Sequence, residues 1–293
     1  VGKTTTAVNL GACLAELGLR VLVVDLDPQG NATTGLGIDH TLRKSTAYDV
    51  IVSGAQVTDG MIQTAIPGLW VLPSAVDLAG LDVELLGAAS RDSILARSMK
   101  KARREFDVML LDCPPSIGLL TVNALAAADE LIVPIQCEYF ALEGLGQMLR
   151  NVRLIQQRVN PGLRVGGILL TMFDPRTKLS EQVVTEVRAH FPTQVYEAVI
   201  PRSVRIAEAP GFGAPVVAFD PGSAGARAYR ELAREVAARL LAAPAVAREW
   251  DDAPEAADAG PERDAVVVVP EPAGTAARGS RWWRFGRRKE EAR

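Results

Sequence analysis

The sequence has little of what would mark a membrane, secreted or zinc-bound protein. No stretch approaches about twenty apolar residues free of charge and proline, so a membrane-spanning helix is not expected. An N-terminal apolar core ending in small residues, the sign of export, is also missing. Cysteine is scarce: Cys13, Cys113 and Cys137 are odd in number and widely spaced. That suits reduced, packed thiols better than a disulfide frame or a metal site, and the cytoplasm is the expected location. A net charge of -3 excludes a chain-wide nucleic-acid footprint, so any such binding must come from a local patch.

What is present is a large apolar fraction, 48% of 293 residues, enough for one large domain or two modest ones. Apolar runs of strand length, "RVLVVDLD", "LWVLPS", "FDVMLLDCPP", "ELIVPIQ", "RVGGILLTMF" and "QVYEAVIP", alternate with amphipathic stretches. That alternation predicts an α/β fold with a mostly parallel sheet covered by helices on both faces. A first helix is expected to stop at Gly18, and further helices over 92–105, 142–159, 180–191 and 224–241. After about Ala243 the composition shifts to Ala, Pro, Asp and Glu, with a lone "VVVV" and the ending "RGSRWWRFGRRKEEAR". Such a segment buries too little apolar surface to offset its ordering entropy, so the expected fold is one domain over residues 1–243, followed by a disordered tail over 244–293.

Chemistry is signalled at three places. The opening "GKTTTAVNL" has the lysine and hydroxyls of a phosphate-binding loop that leads into a helix, without the further glycine that a complete loop carries ahead of the pair. The strand "VLVVDLDPQGNAT" ends in Asp25 and Asp27, and "FDVMLLDCPPS" ends in Asp112. Ligands of open parallel sheets collect at such carboxyl ends. One such acid is ordinarily a strand-end cap; three on two strands beside a GKT suggest a cation.

The segments "GKTTTAVNL", "VVDLDPQGNAT", "LLDCPPSIGLLTVNAL", "VPIQCEYFALEGLGQM", "LLTMFDPRTKLS" and "IPRSVRIAEAPGFGAPV", in that order, resemble the ParA/Soj chromosome-partitioning ATPases, deviant Walker-A P-loop proteins. The resemblance runs from residue 1 to about Leu241. It implies a P-loop NTPase fold, ATP and Mg²⁺ as cofactors, and slow ATP hydrolysis stimulated by a ParB-like partner. Gly2, Lys3, Thr4 and Thr5 would hold phosphate, with Lys3 on the β- and γ-oxygens and the Thr4 hydroxyl on the metal. Asp27 would position the attacking water, Asp25 would support the metal shell, and Asp112 would be the Walker-B acid. Pro201 and Arg202 would cradle adenine. Family members begin with a central strand and a K-G-G-x-G-K-T loop, and this chain opens at the "x". The first strand and the signature lysine are therefore expected to be missing, as in a truncated gene product.

The family works as an ATP-bound homodimer that holds DNA without sequence preference and sits on the nucleoid. Candidate phosphate contacts are Arg202, Arg205, Arg227 and Arg230; Glu231 and Glu235 alternate with the helical arginines, so a salt-bridged surface face is an equal reading. Glu138, Tyr139 and Phe140 match a dimer-facing segment, as interface or core. Two alternatives stay open. One is a MinD-like ATPase using the basic, aromatic end on a membrane; the other is a nucleotide-independent scaffold.

Overall fold

The computed structural model describes residues 2–88, 90–116, 118–242 and 265–269. Its strands are β1 (Val21–Asp25), β2 (Ile62–Gln63), β3 (Leu69–Leu72), β4 (Val108–Asp112), β5 (Glu130–Gln136), β6 (Arg164–Phe173), β7 (Val195–Pro201) and β8 (Ala265–Val269). They form one sheet in the order β2-β3-β1-β4-β8-β5-β6-β7, in which only the β2–β3 pair is antiparallel. The six apolar runs read from the sequence are β1 and β3 to β7. The α/β reading with a mostly parallel sheet holds.

Alternation along each strand builds the two cores. Leu22, Val24, Met109, Leu111, Leu131, Val133, Ile168 and Leu170 enter one cluster, with helices Leu119–Ala127, Ala141–Arg158 and Lys178–His190. Val21, Val23, Val108, Leu110, Ile132 and Leu169 enter the other, beneath the first helix, Lys3–Glu16, and the last, Ala224–Ala242. Strands apolar on both faces require this double cover. The sequence makes one helix of 92–105; the structure breaks it into Arg91–Ser93, Ile94–Ser98 and Ala102–Arg104. The Asn123 side chain accepts from the Leu95 N–H (3.2 Å), and Arg103 reaches across to the Ala127 carbonyl (2.7 Å), so tertiary partners replace the helical ladder.

The expectation that the fold stops near Leu241 needs correction at five residues. Ala265–Val269, the valine run of the supposed tail, lies parallel between β4 and β5, with Leu110 opposite Val267 and Asp112 opposite Val269. That slot is central in the sheet, between the strands that carry Asp112 and Gln136. A gap there would strand two rows of backbone donors and acceptors, and five consecutive residues of apolar, mostly β-branched character suit it. The basic, aromatic ending lies outside the described residues.

Packing between β6 and β7 is tight at one position. A Cβ on Gly167 would stand 2.4 Å from the ring of Tyr196, which is buried and carries Arg239 4.2 Å above its ring centre. Gly167→Ala is expected to destabilise the fold by about 1–3 kcal/mol through overpacking. Gly222→Ala, where a Cβ meets nothing within 4 Å, should change little. Urea midpoints at unchanged slope will separate the two.

Candidate active site

The parallel register of β1 and β4 places Asp25 directly opposite Asp112 at the carboxyl end of the sheet. Both are fully buried. Asp25 is satisfied by its own chain: the Thr33 amide and hydroxyl donate to Oδ2 at 2.8 and 2.6 Å, and the Asp27 amide donates to Oδ1 at 3.2 Å. Asp112 is not. Among the described residues neither of its carboxylate oxygens has a hydrogen-bond partner, although the Thr4 hydroxyl and the Lys3 ammonium lie near enough to favour its ionised form.

Burial sets the charge balance. It raises the Asp25 carboxyl to about 6 against the pull of the Thr33 and Asp27 hydrogen bonds. Asp112 is pushed well above the usual carboxylate range, first by burial and then by the Asp25 charge, with Thr4 and Lys3 opposing. A buried carboxyl without a donor is destabilising on its own and becomes favourable once a cation faces it.

Lys3 begins the first helix and is buried with it. Its position follows from Gly2, which caps that helix at φ 94°, a left-handed conformation that side chains avoid. The Gly2 carbonyl accepts from the Thr6 N–H (2.8 Å), which leaves the amides of Lys3, Thr4 and Thr5 at the helix mouth, where an anion is favoured. Asp27 stands 8% exposed at the rim. Its Oδ1 accepts from the Gln29 amide (3.0 Å), and its carbonyl accepts from the Ser74 hydroxyl. Ser74 in turn donates its amide to the Thr33 hydroxyl (3.1 Å). This Thr33–Ser74 brace was not visible in the sequence, because its two ends are 41 residues apart and neither residue has a special spacing.

Lys3, Thr4, Asp25, Asp27 and Asp112 are thus brought to one sheet edge. Among the described residues no group of three His, Cys, Asp or Glu side chains could hold a metal alone. Mg²⁺ takes one or two protein oxygens and fills its shell with phosphate and water. The orphaned Asp112 oxygens beside the Thr4 hydroxyl match such a donor set.

The remaining predicted residues lie outside this cluster, Pro201 and Arg202 at the same carboxyl edge of the sheet. Pro201 ends β7, and Arg202 donates its amide to Phe173 (2.9 Å) and its guanidinium to Glu138 (3.1 Å). Arg205 pairs with Glu208 (3.1 Å) and Asp220 (3.3 Å), and Arg227 donates to the Gly222 carbonyl. Arg230 clasps Glu16 with two bonds, 2.7 and 3.0 Å, at the far end of the first helix, about 20 Å from Lys3 at 1.5 Å per residue. Tyr139 and Phe140 are exposed and packed edge to face, which removes the core reading for them. Sequence reasoning also missed Asp82, on the short helix Leu81–Glu84, whose Oδ1 accepts from the Leu119 amide (3.0 Å) and so holds the start of the helix Leu119–Ala127, where the loop after Asp112 ends.

Comparison with known proteins follows the same outline. The model of an AAA domain family matches residues 1–165. The chain is 51% identical over 238 residues to the sporulation initiation inhibitor protein Soj of Bacillus subtilis (strain 168), covering 81% of this chain and 94% of that one. It is 52% identical over 241 residues to the chromosome partitioning protein ParA of Caulobacter vibrioides (strain NA1000 / CB15N), covering 82% and 90%. Among solved structures, cobyrinic acid a,c-diamide synthase from Mycobacterium smegmatis with bound ATP analog and magnesium aligns with a TM-score of 0.69 at 39% identity, over 80% of this chain and 88% of that one. The septum site-determining protein MinD of Pyrococcus horikoshii OT3, complexed with Mg-ADP, aligns at 0.62 and 28%, over 80% and 90%.

The acid pair predicts an inverted pH response. A carboxyl whose folded pKa exceeds its unfolded value binds its proton more tightly when folded, so its contribution is full below about pH 4 and is lost as pH rises through about 6. Asp112 extends that loss to higher pH. Asp112→Asn is expected to flatten the slope. It should also raise the unfolding temperature of nucleotide-free protein at pH 7 by about 3 °C, the shift that about 1 kcal/mol gives in a domain of this size. Thermal melts from pH 4 to 8 will test it.

Proposed function

The chain belongs to the Soj/ParA family of chromosome-partitioning ATPases, and we propose on that basis that it hydrolyses ATP with Mg²⁺ to drive DNA segregation. The observation that carries this reading is the buried Asp112 carboxylate, without a donor and facing Thr4 and Lys3 at a helix mouth. A bound Mg²⁺ would supply charge neutralisation to phosphate oxygens during phosphoryl transfer. Asp112 and the Thr4 hydroxyl would hold it, with Asp25 fixing the neighbouring backbone through Thr33. Lys3 and the amides of Gly2, Thr4 and Thr5 would bind the β- and γ-phosphates, and Asp27 at the rim would orient the attacking water. Pro201 and Arg202 would face the base.

The finer reading follows the family. ATP would close a homodimer over the exposed Tyr139–Phe140 edge, the dimer would hold DNA on the nucleoid through phosphate contacts, and a ParB-like protein would stimulate turnover. Arg202, Arg205, Arg227 and Arg230 are the DNA candidates; each would have to exchange an internal acceptor for a phosphate. Identities of 51% and 52% to Soj and ParA, against 28% to MinD, favour DNA over a membrane as the surface. No helix among the described residues is long and apolar enough to cross a membrane.

Phosphate release tests the chemistry. Lys3→Ala and Asp27→Ala are each expected to lower kcat by about 10²-fold or more, and Asp27→Ala should leave ATP affinity within a few-fold. Unchanged turnover in both would overturn the assignment. For DNA, Arg205→Ala should weaken retention alike on all sequences and reduce the slope of log K against log salt by about 0.9 for each phosphate no longer neutralised. Arg230→Ala should do less, because that guanidinium is half as exposed as Arg205, 27% against 56%, and is held by both Glu16 oxygens. A salt slope unaltered by Arg205→Ala rejects that position.

A further inference from the structure

Asn9 is buried on the first helix, one turn beyond the residues assigned to phosphate, and both ends of its amide are used. Nδ2 donates to the Thr5 carbonyl (2.7 Å), and Oδ1 accepts from the Val216 N–H (2.6 Å), 207 residues away. Val216 is itself fully buried and opens the short helix Val216–Phe219, so that N–H has no intrahelical acceptor. Chain from Pro201 and Arg202 leads through Val204–Glu208 and Ala209–Phe212 to this point. The same segment touches the helix that follows Asp27. No side chain fits between Gly37 and Gly213, and Pro210 lies against Gly35.

We infer that Asn9 is a positioning residue that fixes the base-side segment 201–216 at a set distance from the phosphate-binding end of the first helix. The inference rests on the nucleotide reading above and adds a division of labour within it. An amide suits the task because it carries a donor and an acceptor at once, and only such a group can bridge a helical carbonyl and a foreign N–H. Loss of the bridge leaves the Val216 N–H buried without a partner, so the segment shifts to recover one. Lys3, Thr4 and Asp112 do not depend on that bond. Binding of the base should therefore suffer and binding of the phosphates should not.

The test compares Mg²⁺-ATP with Mg²⁺-tripolyphosphate, which has the phosphates and lacks the base, by calorimetry on the full chain. Asn9→Ala is expected to weaken ATP binding at least tenfold and tripolyphosphate binding less than twofold, with KM raised and kcat lowered less than threefold. Asn9→Asp keeps the acceptor for Val216 and should lose less than threefold on ATP, which also covers the case in which the alanine variant fails to fold. Equal weakening of both ligands, or no weakening of either, overturns the role of Asn9 alone. A wild-type chain that binds neither ligand overturns the nucleotide reading and this one with it.

Discussion

The side-by-side placement of Asp25 and Asp112 is the constraint on which the rest of the site depends. Two parallel strands in register put the carboxyls opposite one another, and the apolar covers on both faces remove the water that would solvate them. Their environments then diverge. Asp25 spends its lone pairs on Thr33 and Asp27 and becomes a structural brace, whereas Asp112 is left with oxygens free for a cation. Two buried acids on adjacent strands share one sheet edge at a cost, because burial raises both carboxyls and the Asp25 charge raises Asp112 further. The positive end of the first helix, with Lys3 on it, offsets that negative charge and is a place where an anion is favoured.

How much of this could be read from the sequence depends on how local each feature is. β1 and β4 were legible as apolar runs, and their terminal acids were legible as a chemical signal, because strand length, alternation and position all lie within about ten residues. The first helix was legible for the same reason. Ala265–Val269 was not, since a valine run among Ala, Pro and acids reads as solvated chain, and only its pairing between β4 and β5 assigns it a place. The stretch 92–105 failed in the opposite sense. Its helical spacing is real, but Asn123 and residues around Ala127 offer better partners than a continuous ladder does.

Within the site, the polar scaffold was the least legible part. Thr33, Ser74, Asp82 and Asn9 have no motif of their own, and the partners that tie them to other elements lie between 8 and 207 residues away. Together they form braces around the candidate site: Asp25 to Thr33 to Ser74, Asp82 to the start of the helix Leu119–Ala127, and Asn9 to the helix that opens at Val216. A motif names the groups that touch a ligand. The groups that keep them still are chosen by the folded neighbourhood, and any polar residue of the right size can serve.

The arginines carry the same argument to the surface. Sequence spacing grouped Arg227, Arg230 and Arg234 on one helical side, but spacing cannot tell a cation reserved for a ligand from one already neutralised. In the folded chain Arg230 is clasped by Glu16, and Arg205 is shared between Glu208 and Asp220. Arg150 and Arg153, on Ala141–Arg158, are exposed and form no ion pair among the described residues, although no motif singled them out. A phosphate approaching Arg205 must displace carboxylates in high dielectric, where each pair is worth at most about 1 kcal/mol. Such weak internal pairs are compatible with DNA binding that is reversible and independent of sequence. They hold the side chains in place without a ligand and would be weak enough to yield to a denser line of negative charge.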